Sequence, residues 1–164
     1  MTNADKFIYL WLILFVLNLP SFAQEKSIVI KNLSGKADVI ITGKVMQMES
    51  SWNASRTRIY TKTTVRVEEF MKGNNNENNI EITHPGGEVG DVGELYTHMP
   101  KFEYNEEVPV FLKKDEKNNQ YKVLSGAEGK ITVLEDAKTK EKVTSSNLPI
   151  KELKSQINGF LNAH

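Results

Sequence analysis

Ile59, Thr61, Thr63, Val65 and Val67 fall on one side of an extended chain, and Tyr60, Lys62, Thr64, Arg66 and Glu68 fall on the other. Strict alternation, with β-branched side chains on the drier side, fits a strand with one buried and one wet face. The stretch Ile59–Met71 is therefore the anchor for everything around it. Lys72-Gly73 and the Asn-rich run 74–79 close it as a solvated hairpin loop. Ile80–His84 then reads as the return strand, with Ile80 and Ile82 inward.

The neighbouring segments extend this pattern. Ala37–Ser50 reads as a long strand, and Val39-Ile40-Ile41 makes its first half apolar on both faces, as in a strand covered on both sides. Gly43 in its middle points to a bulge or a sharp bend. Ser50–Arg58 is a polar turn, and Trp52 stands in it. Pro85–Tyr104, with Gly86, Gly87, Gly90 and Gly93, reads as about twenty residues of irregular chain, a length that often carries function. A short strand at Leu95–His98 is the one element expected there. Glu107–Lys113 is a strand whose Pro109 argues for an edge or a bulge.

Lys114–Gln120 is a turn, Tyr121–Leu124 a return strand and Ser125–Gly129 a second turn. Lys130–Leu134 is expected as the last core strand, and Glu135–Lys142 as a charged loop or the tip of a further hairpin ending at Val143. Leu153, Ile157, Phe160 and Leu161 share one helical face, so Leu148–Leu161 reads as an amphipathic helix, with Pro149 in its first turn. Ser27–Lys36 favours a short helix, with a strand at 27–31 as the alternative. The expected fold is mainly β: a small, closed or nearly closed five- to six-stranded barrel with a short N-terminal helix and a C-terminal amphipathic helix.

The first residues concern address. Lys6 precedes the apolar run Phe7–Leu17, which breaks at Pro20, and Ser21 and Ala23 stand at the −3 and −1 positions of a cut before Gln24. That is the layout of a secretory signal peptide over 1–23, leaving 24–164 as a single exported domain, periplasmic or extracellular. A retained membrane anchor is the alternative, but a span needs about 20 apolar residues and this run is shorter. The chain has 21 basic and 21 acidic residues, so no net field draws it to nucleic acid or to an anionic membrane. It has no cysteine, which removes disulfides, thiol chemistry and Cys-based metal sites. Two Asn-x-Ser sequons, at Asn32 and Asn53, matter only in a glycosylating host.

Three blocks carry a family likeness. Ala37–Val45 (ADVIITGKV), Tyr60–Gly73 (YTKTTVRVEEFMKG) and His84–Gly90 (HPGGEVG), the last followed by Phe102 and Val110-Phe111-Leu112, resemble in order a family of bacterial exported proteins. The strand order and the VRVEEFMKG pattern are also similar to the netrin-like module of the tissue inhibitors of metalloproteinases. The resemblance implies an oligomer-binding, netrin-like barrel of the five-stranded Greek-key type. It implies no inhibitory residue, because those inhibitors use an N-terminal cysteine that this chain lacks.

Candidate chemistry concentrates in the glycine-rich segment. His84, Glu88, Asp91, Glu94 and His98 are metal-ligand types, but their spacing matches no zinc motif and no EF-hand loop. Pro85-Gly86-Gly87 is the kind of sequence that offers backbone amides to an anion or a peptide end, and equally the kind that makes turns. No nucleophile motif occurs, and the adjacent acids Glu68-Glu69 and Glu106-Glu107 point to opposite faces of a strand. Trp52, Tyr60, Tyr96, Phe102, Tyr104 and Tyr121 are candidate contact aromatics.

The resulting expectation is a non-catalytic binding module with no cofactor. It engages a protein or peptide partner through His84, Pro85, Gly86, Gly87, Glu88, Gly90, Asp91, Trp52 and Tyr96 together with a neighbouring sheet edge, near the Pro109 strand. The alternatives are a metal-binding protein or metal-dependent hydrolase using His84 and His98, and a structural envelope component.

Overall fold

The computed structural model describes residues 21–73, 77–116 and 120–163. Residues 1–20 of the expected 1–23 leader, part of the Asn-rich loop (74–76), part of the turn after the Pro109 strand (117–119) and His164 lie outside the described residues. The chain is mainly β, with a five-stranded sheet and two helices. In order these are α1 (Ser21–Lys36), β1 (Val39–Trp52), β2 (Ile59–Lys72), β3 (Asn79–Pro85), β4 (Gly87–Val89), β5 (Val92–Glu94), β6 (Glu107–Asp115), β7 (Gln120–Val123), β8 (Val133–Glu135), β9 (Lys142–Thr144) and α2 (Ile150–Asn162). No helix among the described residues is long and apolar enough to cross a membrane.

The five strands pair in the cyclic order β1-β2-β3-β7-β6, and β6 pairs back onto β1. All contacts are antiparallel except β3 with β7, which meet in parallel at Ile82 and Tyr121. β2 behaves as its alternation requires: Ile59, Thr61, Thr63 and Val65 are buried while Lys62 and Arg66 are exposed. Val39-Ile40-Ile41 also serves both faces. Ile41, Val45, Val65, Ile80, Ile82, Val108, Val110 and Leu112 form the inner core. Ile40 and its cross-strand partner Phe111 face outward, where Ile30 and Leu33 of α1 and Leu153 and Ile157 of α2 cover them. Lys72 at the end of β2 donates to the carbonyls of Ser34 (2.8 Å) and Gly35 (3.2 Å), which ties β2 to the C-terminus of α1.

β1 bends at three register shifts against β2, one of them at Thr42/Gly43. A Cβ on Gly43 would press into the Arg66 carbonyl oxygen and lie 2.8 Å from a Val65 methyl. The residue is thus glycine because the strands approach closely there.

Two expectations are corrected. Lys130–Leu134 is not a core strand: Lys130 makes only an isolated bridge to Val110, and β8 pairs with β9 alone. Pro109 supplies the reason. Its carbonyl accepts from Ile131 N–H at 2.9 Å, and a strand residue points its nitrogen to the same side as its carbonyl. The proline nitrogen therefore faces the 130s segment and cannot continue a ladder there. The edge expected at Pro109 is found on that side: β6 pairs with β1 over Glu107–Leu112, but its ladder with β7 covers only Leu112–Asp115, and beside Pro109 the second side carries only the isolated bridge. The irregular stretch 85–104 contains a hairpin, β4–β5, whereas Leu95–His98 forms no strand. The expected hairpin ending at Val143 is present as β8–β9.

Gly43→Ala is expected to cost about 1–3 kcal/mol of unfolding free energy by overpacking. Urea denaturation reads this directly, and a change within ~0.5 kcal/mol would show that β1 and β2 separate there without strain.

Candidate functional site

The candidate residues gather where β4 and β5 fold across the inner face of the far halves of β1 and β2. Thr61 is inward by the alternation of β2, and its register partners are Ser50 on β1 and His84 on β3. The Thr61 hydroxyl donates to the Gly86 carbonyl at 2.7 Å and lies 2.9 Å from the Ser50 hydroxyl. Gly86 N–H donates to the Ile59 carbonyl at 2.9 Å. Ile59 N–H in turn donates to the Glu94 carboxylate at 3.1 Å, and Tyr96 O–H reaches the same oxygen at 3.2 Å. Burial and that carboxylate both push the Tyr96 phenol up from its ordinary value. The hairpin is thus docked at both ends on one backbone position of β2.

Gly87 is the wedge point. Its φ is +131°, and a Cβ there would fall onto the Ser50 and Thr61 hydroxyl oxygens. The Pro85-Gly86-Gly87 turn is therefore committed to docking: the Gly86 amide offered to an anion in the sequence reading is already bonded to Ile59. Gly90 has φ +60° and turns the hairpin with Asp91 between Val89 and Val92. Glu88 and Asp91 are exposed. Pro85 ends β3 opposite Tyr60. Trp52 is corrected from a polar turn to the last residue of β1, half-buried and paired with Ile59.

His84 points inward against Phe102, with ring centroids 5.8 Å apart. Its Nδ1 donates to the Pro85 carbonyl at 3.2 Å, and its buried Nε2 has no hydrogen-bond partner among the described residues. Burial pulls its pKa below the ordinary value, so the neutral ring is favoured. His98 is exposed on the turn beyond β5. His84, Glu88, Asp91, Glu94 and His98 are not brought together: no group of three such side chains among the described residues is placed to hold a metal ion.

Sequence reasoning missed the clamp that holds 101–106 against the sheet. Lys130 and Glu106 form an ion pair at 2.7 Å with side chains only 7% and 17% exposed. Lys130 also donates to the Lys101 carbonyl and sits 5.4 Å from the centre of the Phe102 ring. Glu106 accepts from Glu103 N–H at 2.6 Å. The adjacent Glu107 pairs instead with Lys142, as opposite-facing side chains on a strand require. The missed apolar residues are Met46, Met48, Val92 and Leu95, all exposed, and Leu95 is 75% exposed; Tyr104, one of the candidate aromatics, is exposed as well.

Compared with known proteins, the chain matches no family model, and no curated protein matches it.

Two outcomes are expected. Gly87→Ala costs about 1–3 kcal/mol in urea denaturation, because strain and overlap coincide there. Stability also depends on pH through His84. The unfolded chain binds a proton near the ordinary value of 6.5 while the folded chain resists it. The contribution is therefore complete above that value and is lost as pH falls towards the lower folded value. Urea titrations at pH 7 and pH 5 should show a larger loss for the native chain than for His84→Gln, and equal losses would remove His84 as the cause.

Proposed function

We propose that the chain is an exported, non-catalytic binding module on an oligomer-binding-type barrel, and that it holds a protein or peptide partner at the β4–β5 end. The topology supports the barrel reading. β1, β2 and β3 follow one another as hairpins, and β6 returns by the long 86–106 connection to lie beside β1. That spatial order, fourth-first-second-third, is the one a Greek key would have, which supports this reading. The likeness to the netrin-like module of the tissue inhibitors of metalloproteinases fits the same scaffold. The leader pattern over 1–23 supports export to the periplasm or the medium.

One observation carries the binding reading. Met46, Met48, Val92, Leu95 and Tyr104 are exposed large apolar residues on segments that meet at this end. The hairpin crosses β1 at Ser50, and the turn 104–106 bonds to Val45. Exposed apolar side chains on neighbouring segments are what interaction sites commonly present. The hydrogen bonds at Thr61, Gly86 and Glu94 hold that surface in place, so little ordering is left for binding to impose.

Crosslinking capture in the native envelope and culture fluid tests this. The chain is compared with a Val92→Ser/Leu95→Ser variant, whose substitutions touch only exposed positions. A specific partner whose recovery drops about tenfold in the variant supports the proposal. Equal recovery moves the contact to another surface. No partner for either favours a structural envelope role.

A further inference from the structure

β1 is longer than one of its two neighbours. It pairs with β2 as far as Trp52↔Ile59, but its ladder with β6 stops at Lys44↔Glu107. One further rung is made by Asn105 N–H to Val45 O and Val45 N–H to Glu106 O, both 2.9 Å. Beyond that the side of β1 away from β2 has no backbone partner among the described residues. β4 crosses this half of β1 but pairs only with β5, and Gly87 lies over the Ser50 side chain, on the inner face rather than in the plane of the sheet.

The groups left open follow from the register. Ile59 and Val67 of β2 turn their backbone groups to the β3 side, through Gly86 N–H to Ile59 O and Val67 N–H to Asn78 O. The alternate residues Tyr60, Lys62 and Thr64 therefore face β1, where their partners are Ser51, Glu49 and Gln47. That turns the N–H and C=O of Met48, Ser50 and Trp52 to the open side. Edge strands of soluble proteins are commonly blunted by lysine or proline. The stretch Met46-Gln47-Met48-Glu49-Ser50-Ser51-Trp52 has neither, and Glu49 is its one charge.

We propose that this open edge of β1, Met46–Trp52, takes an extended strand from a partner protein, with apolar side chains over Met48 and a basic side chain facing Glu49. The inference deepens the binding-module reading and rests on it. Met48 shares the inner face with its partner Thr63 and is 39% exposed, so it offers apolar contact to alternate residues of an added strand. Glu49 points to the outer face and has no ion-pair partner among the described residues. Its cross-strand neighbour Lys62 is held by Glu81 at 3.2 Å. A second copy pairing antiparallel about Glu49 would set two carboxylates opposite each other, which is unfavourable. A lysine or arginine there is complementary.

The test uses fluorescent eight-residue peptides, one alternating Val and Lys and one alternating Val and Glu, against the full chain. Met48→Pro places the proline ring at an outward N–H that no ladder uses, a position edge strands tolerate, and circular dichroism melting verifies that the variant folds. The expected result is a Val/Lys preference of about tenfold, reversed by Glu49→Lys, with binding lost in folded Met48→Pro. Val/Lys binding undiminished in Met48→Pro, or no binding of either peptide by the native chain, overturns the proposal. Self-association that Met48→Pro abolishes makes a second copy the occupant and also overturns it. Running Met48→Pro in the envelope capture separates the two readings: a partner still retained there, but lost by Val92→Ser/Leu95→Ser, sinks the edge and leaves the binding module standing.

Discussion

β1 has to satisfy two cores at once, and the rest of the molecule is arranged around that demand. Its first half carries apolar side chains alternately inward and outward, so it is stable only with strands on both sides and a helical layer outside. Ile40 and Phe111 put the outward demand on one rung shared with β6, and α1 and α2 meet over that rung. The inward demand bends the strand at Gly43, where β2 comes too close for any side chain. Removing the helices would leave Ile40 and Phe111 in water. Removing the bend would part β1 from β2 at the point where both turn inward.

The second half of β1 has no such demand, and its sequence changes accordingly. Val39–Val45 is nearly all buried, while Gln47, Met48 and Glu49 are exposed. β6 therefore follows β1 only as far as burial rewards it. The turn at Glu103–Glu106 leads it away, locked by Lys130 on Glu106. The ion pair adds little net energy once the cost of removing both charges from water is counted. Its effect is geometric, since it fixes where β6 begins and so how much of β1 is left without a neighbour.

The parts of the fold that were legible in the sequence are those where one period runs long enough to be read. β2, the two-faced start of β1, the return strand with Ile80 and Ile82, and the C-terminal helix with Leu153 and Ile157 all lie where periodicity placed them. β4 and β5 were not legible because three residues are too few to show alternation, and their glycines suit a loop equally well. The 130s segment has strand composition, but its fate was decided by a proline nitrogen on another strand, which no local pattern reports. At the candidate site, the glycines were found for a reason that proved structural. Lys130 and Glu106 are 24 residues apart and were invisible to any local pattern. The open edge was invisible too, since it is a difference in length between two ladders.

The hairpin and the open edge have a common origin. Because β6 stops short, the inner face of β1 beyond Val45 lacks the cover that β6 side chains give elsewhere, and Ser50, Trp52 and Met48 would lie bare beside Thr61. β4–β5 supplies part of that cover from above, through Gly87 against the two hydroxyls and Glu94 against Ile59 N–H. A hairpin lying over a sheet satisfies side chains but not the edge in the sheet's own plane, because ladder hydrogen bonds run within that plane. Covering the face therefore leaves the edge unpaired. The glycine wedge and the Glu94 bond keep the hairpin on the inner face, off the edge itself.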